Sequence, residues 1–201
     1  MRNWWRVKAV LALPSSDDRS SASILGLDPG SETLGAAILT FDLATLAIIR
    51  FEAATYYGSK LPSRDWTREL YNERAQRIEA HYLNLTRLLR QVQPLAIASE
   101  APFFNGASPN AFGALTEVVC ALRQAVNDYD VWKHLYMIDP PSVKVAVGAP
   151  GGTRDKLLVK TCMAAIPQLM GALVESFATW DEHSVDAGAV AYCQYRRMFF
   201  L

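Results

Sequence analysis

The sequence predicts a mixed α/β fold: a five-stranded sheet, three antiparallel strands then two more, flanked by helices. Two observations carry the prediction. Between Ile24 and Ala54 three apolar runs follow one another across tight turns, the signature of an antiparallel meander. Beyond Trp66 the apolar spacing lengthens to three and four residues, and helical segments then alternate with two further short apolar runs. A length of 201 residues suits one well-filled domain, and 51% apolar with 20% charged residues is a globular composition.

Ile24–Leu27 reads as the first strand and ends at Asp28-Pro29-Gly30; Gly35–Thr40 is the second and Leu46–Ala54 the third. Trp66 to Val92 places Leu70, Ile78, Tyr82, Leu85, Leu89 and Val92 on one stripe and five arginines on its polar side, so it reads as one long amphipathic helix. Pro94 stops it. Leu95–Ser99 then runs as a strand straight into Glu100. Asn110 to Asn127 is a helix built on Leu115, Val118, Leu122 and Val126, and Leu135–Ile138 is the last strand, before Asp139-Pro140-Pro141. A helix from near Thr153 to about Pro167 and another from roughly His183 to Met198 complete the order.

The first 22 residues stand apart from this domain of residues 23–201. Arg2, Arg6 and Lys8 accompany Trp4 and Trp5, and a Ser-rich, turn-prone stretch follows from Pro14. This is expected to be a flexible leader, with a basic-aromatic arm that touches DNA as the alternative; a secretory signal would need a longer apolar segment and a small-residue cleavage site. No apolar run approaches the roughly 20 residues of a membrane-spanning helix, so no membrane partner is expected. Cys120, Cys162 and Cys193 are scattered, without CxxC spacing, and read as buried thiols in a reducing compartment. Twenty basic residues balance twenty acidic ones. A DNA-binding chain usually carries a basic excess, because counterion release supplies much of its affinity. Neutrality still allows DNA binding where a carboxylate-rich metal centre and a basic groove share one chain.

Acidic residues fall where such a sheet would bring them together. Asp28 ends the first strand, Glu100 ends the fourth, and Asp181, Glu182, His183 and Asp186 open the last helix, with His183 and Asp186 on one face. Carboxylates drawn from distant sequence suit magnesium, a hard cation with oxygen ligands, and a pair of such ions can assist phosphodiester cleavage. Singly, each has a plainer reading. Asp-Pro-Gly is a common turn, a Glu after a strand is often a solvated end, acids favour any helix N-terminus, and a lone His there is more often surface than ligand. Only their joint order is informative.

That order, ILGLDPGSETLGAAIL, IASEAPFF, DPPSVKVAVGAPGGTRDKLLV and DEHSVDAGAVAYC, resembles the RuvC family of Holliday junction resolvases over nearly all of residues 24–195. The resemblance implies an RNase H-like fold and a magnesium-dependent endonuclease. Asp28, Glu100, His183 and Asp186 match the family's metal positions, the third of which is Asp or His in the family. Phe103 matches an aromatic used at the junction branch point. Lys144 and Lys156 match phosphate-contacting residues, Lys156 with a catalytic part, and Arg154 lies in the same basic stretch. Also implied are two Mg2+ ions, with Mn2+ as a substitute, and four-way branched DNA as partner. A homodimer making paired symmetric nicks is expected, with 5′-phosphate products, in the cytoplasm of a bacterium or of a virus's host. For Phe103 the plainer reading is core packing, and for the lysines solvated surface. The leader, the Gly148-Ala149-Pro150-Gly151-Gly152 loop and Gly188, where the family more often has a larger apolar residue, depart from the pattern.

Three alternatives stand beside this. LDPGSETLG also looks like a phosphate loop of the actin-like ATPases, but those need two lobes and this chain has room for one. A junction-binding homologue without chemistry would lack some of the acidic residues, which are all present here. A nuclease with broader fork or flap specificity shares every residue named so far.

Overall fold

Alternation along β1 (Ser21–Pro29) decides what each side of the sheet packs against. Ile24 enters one apolar cluster and Leu25 and Leu27 the other, because successive strand residues point to opposite faces. The computed structural model describes residues 20–103, 109–173 and 175–200. Within them β2 (Thr33–Asp42), β3 (Ile48–Tyr57), β4 (Ala96–Glu100) and β5 (Leu135–Ile138) join β1 in one sheet of order β3-β2-β1-β4-β5. The first three strands pair antiparallel, and β1–β4 and β4–β5 pair parallel. This is the expected sheet.

One face carries α2 (Glu73–Val92) and α3 (Pro109–Tyr129), whose Leu85, Leu89, Val118 and Leu122 bury against Leu25, Leu27 and Ile97. The other carries α4 (Pro140–Ala146), α5 (Lys156–Ala164) and α6 (Glu182–Phe199). There Phe51 meets the edge of Trp180 at 5.6 Å, and Phe41 meets Phe199 at 5.0 Å. Truncating such a buried ring costs about 3–5 kcal/mol. Every residue of α6 from Ser184 to Tyr195 is buried, so this helix is the centre of its layer. Small residues let it lie directly on the strands. A Cβ on Gly26 would come within 2.3 Å of the Ala187 carbonyl oxygen, and one on Gly35 within 2.2 Å of the His183 carbonyl oxygen. Gly188 has its explanation here too: Met163, Trp180 and Phe51 fill the space that a larger side chain would take.

Several boundaries differ from the sequence reading. The long helix is two, α1 (Asp65–Leu70) and α2, because the Asn72 side chain accepts the Ala75 amide at 2.8 Å and caps a new start. Asp139-Pro140-Pro141 does more than end a strand. Asp139 accepts the Ser142 amide at 2.9 Å and the prolines fill the first helical positions, opening the unanticipated α4. The helix placed from Thr153 to Pro167 is the shorter α5, begun by the Asp155 cap. Strand β1 starts at Ser21, inside the segment assigned to the leader; residues 1–19 lie outside the described residues. Of the three cysteines expected to be buried, only Cys193 is; Cys162 is half-buried, and Cys120 faces solvent from the outer side of α3. No described helix is long and apolar enough to cross a membrane.

Candidate metal centre

Register and parity together build the centre. Strands β1 and β4 run side by side with Leu27 opposite Ser99, so the next residues, Asp28 and Glu100, end adjacent parallel strands. Ala96 and Ala98 join the cluster beneath α6, and Glu100 continues their parity, as Asp28 continues that of Ile24 and Gly26. Asp186 comes down from the second turn of α6, whose close approach the two glycines permit. One ligand oxygen from each of Asp28, Glu100 and Asp186 lies within 4.8 Å of the other two. Residues separated by up to 158 positions in the chain thus meet at one point.

The electrostatics show what such a meeting costs. Burial, then the charges of Asp28 and Asp186, push the Glu100 carboxyl up to about 7, while Lys156 and Lys144 pull it back. Burial also raises the Asp186 carboxyl in spite of its contact with the Lys156 ammonium. Burial works against the Lys156 charge, but Asp186, Asp28 and Glu100 outweigh it and raise its pKa. Two lysines therefore compensate the three carboxylates only in part. An all-oxygen donor set under like-charge repulsion fits a hard divalent cation.

His183 stands beside these three and is not one of them. Its Nδ1 is 2.8 Å from Asp28 Oδ2 and its Nε2 3.0 Å from Thr33 Oγ1. The hydrogen bond to Asp28 raises the imidazole pKa, partial burial opposing it. Of the other predicted residues, Lys156 touches Asp186, and Lys144 extends from α4 to donate to the Thr153 carbonyl at 2.8 Å. Arg154 is exposed in the turn before α5. Phe103, three residues beyond Glu100, is 62% exposed, so the core reading does not hold for it; Phe104 lies outside the described residues. Lys160 turns away to donate to the Ala178 and Trp180 carbonyls, both at 2.8 Å. Asp181 serves as the α6 cap, accepting from Ser184 N at 2.9 Å and from the Thr55 hydroxyl at 2.6 Å.

Sequence reasoning missed Thr33 and Thr55. Threonine at a strand end carries no signal of its own, and only the placement of α6 shows what these hydroxyls reach.

No protein-family model matches the chain. A crossover junction endodeoxyribonuclease RuvC from Alkaliphilus metalliredigens (strain QYMF) is 29% identical over 172 residues, covering 85% of this chain and 90% of the relative. The fold matches RuvC of Thermus thermophilus, solved with a Holliday junction substrate, at a TM-score of 0.63 and 20% identity, covering 88% of this chain and 96% of that one. The yeast mitochondrial Holliday junction resolvase matches at 0.56 and 12% identity, covering 87% and 78%. The fowlpox virus resolvase matches at 0.50 and 14% identity, covering 88% and 99%. With the expected sheet, its order and the converging carboxylates, the chain is similar in sequence to RuvC over most of its length and shares the fold of RuvC and other Holliday junction resolvases.

Proposed function

We propose that this chain is a magnesium-dependent endonuclease that resolves Holliday junctions in the cytoplasm by paired, symmetric nicks. The observation that carries the reading is the convergence of Asp28, Glu100 and Asp186 at the carboxyl ends of β1 and β4 under α6. Those three residues would hold the metal, with His183 as a fourth ligand or as the group that orients the attacking water. Bound Mg2+ ions, or Mn2+ in their place, would supply charge stabilisation and water activation for phosphodiester hydrolysis.

The chain's own residues do the rest. Lys156, already paired with Asp186, and Lys144 face the same acidic centre and neutralise the scissile phosphate. Arg154 adds charge on the approach. Water adds to phosphorus, the bond to the 3′ oxygen breaks, and that oxygen takes a proton, leaving 5′-phosphate and 3′-hydroxyl ends. Phe103, exposed beside Glu100, suits stacking at a branch point where bases lose a neighbour. Two symmetric nicks require two such centres, hence a two-fold homodimer.

The test is a panel of labelled DNAs, four-way junction, fork, flap and linear duplex, digested in Mg2+ or Mn2+. Paired nicks at symmetric positions of the junction are expected. Cutting of forks and flaps at equal rates would replace the substrate, and no cutting of any branched DNA would sink the reading.

A further inference from the structure

We propose that Thr33 is a positioning residue that clamps the His183 ring so that Nδ1, and not Nε2, faces Asp28 and the acidic centre. This rests on the metal-dependent reading above and names a residue which that reading does not use.

The ring is held from both sides, Nδ1 by Asp28 Oδ2 at 2.8 Å and Nε2 by Thr33 Oγ1 at 3.0 Å. Both ends of the second contact are fixed. Thr33 opens β2 and pairs with Tyr57 of β3, and its branched side chain has few rotamers to choose among. The His183 backbone lies against Gly35, two residues along the same strand, so closely that no Cβ fits between them. One strand therefore sets both the position of the histidine main chain and the direction of its ring. Glu182 is the competing partner for Nε2, with Oε1 at 3.9 Å, beyond hydrogen-bond reach and on an exposed side chain. Without the Thr33 hydroxyl, the ring could turn toward Glu182 and lose its aim at Asp28.

A histidine that serves a metal commonly donates its other ring N–H to a neighbouring acceptor, which fixes the ring and the tautomer. Thr33 is placed to be that acceptor. In the metal-free protein the Asp28 carboxylate accepts from Nδ1; when Nδ1 is offered to a metal instead, the Thr33 oxygen stands where it can take the Nε2 proton.

Thr33→Val removes the hydroxyl while keeping the branched shape, and Thr33→Ser restores it. The first readout is long-range 15N–1H NMR of histidine-labelled, metal-free protein, with His183 assigned through His183→Gln. Wild type and Thr33→Ser should show Nε2 hydrogen-bonded to a neighbour and Nδ1 bonded to a carboxylate, and Thr33→Val should lose the Nε2 signature. The second readout is Mn2+ binding to the DNA-free protein by calorimetry. Removing such an outer partner typically costs about 10–100-fold in metal affinity, so Thr33→Val should bind that much more weakly and Thr33→Ser near the wild-type value. Identical ring spectra and equal Mn2+ affinity for Thr33→Val would overturn the proposal. Failure of the functional reading shows elsewhere, as wild type that cuts no branched DNA, and the ring spectra still decide the role of Thr33.

Discussion

His81 and His183 lie near the same β1–β2 turn but on opposite faces of the sheet, and their surroundings are opposite as well. On the α6 side, His183 is part-buried, bonded at both nitrogens and raised in pKa by Asp28. On the α2 side, His81 is fully buried with neither nitrogen in a well-aligned hydrogen bond, only the Ser31 and Glu32 main chains approaching it, and burial lowers its pKa to about 4. Arg77 lies beside it, its Nε 3.1 Å from Glu32 Oε2, and a Cβ on Gly58 would meet His81 Nε2 at 3.0 Å. The difference shows where polar groups work and where they only fill space. One face arranges charge around a point where a ligand can enter. The other buries a histidine so deeply that desolvation outweighs the pull of Glu32 and of the Ser31 and Glu32 main chains on its charge.

The largest expected effect breaks the α6 face at its centre. Asp28→Asn keeps the shape but removes a charge that the proposed metal site requires, and losing several kcal/mol of charge stabilisation corresponds to a rate loss of about a thousandfold or more. Junction affinity measured in Ca2+ should stay near wild type. Cleavage at near wild-type rate in saturating Mg2+ would reduce Asp28 to a turn residue.

Next come the lysines. Lys156→Ala should slow cleavage by about a hundredfold, as for loss of one preorganised donor. Combined with Lys144→Ala, it should lower the magnitude of the log–log salt slope of junction binding by about one unit per lost phosphate contact. An unchanged slope would make them ordinary surface charge and leave the α2 arginines to hold the DNA.

The α2 face predicts the reverse pattern, stability without activity. His81→Leu should leave cleavage unchanged and gain stability relative to wild type as pH falls below about 6.5, where the wild-type ring is kept from charging. The pH dependence separates the two faces further. The folded pKa of His81, about 4, lies below its unfolded value, so its contribution is present above about 6.5 and lost as pH falls toward 4. Glu100 acts oppositely in metal-free protein. Its folded pKa, about 7, lies above the unfolded value, so stability is fully present below about 4.5 and lost as pH rises through 7. Thermal melts across pH 4–8 should show His81→Leu flattening the acid limb and Glu100→Gln the alkaline limb. Acid and alkaline limbs that do not move in these variants would contradict the assignment.

The smallest effect belongs to the exposed aromatic. Phe103→Ala should cost junction affinity roughly the 1–3 kcal/mol of one base stack, with the melting temperature unchanged because the ring is already in solvent. A melt lowered by many degrees would return Phe103 to the core.

By itself the sequence determined the sheet, most of the helices and the three carboxylates, since these follow from period and position. Alternation places Ile24, Gly26 and Asp28 on one face, and an apolar run that halts at Glu100 marks the end of a parallel strand. The break at Asn72 and the short α4 stayed hidden because a single capping side chain overrides an apolar stripe. Only the tertiary structure decided the roles of the polar neighbours. Nothing in local pattern separates Lys156 at Asp186 from Lys160 at the Trp180 carbonyl, or the part-buried His183 between two side-chain partners from the fully buried His81. On the α6 face the role of His183 depends on how closely α6 lies on β1 and β2, a distance set by Gly26 and Gly35 from the far side of the contact.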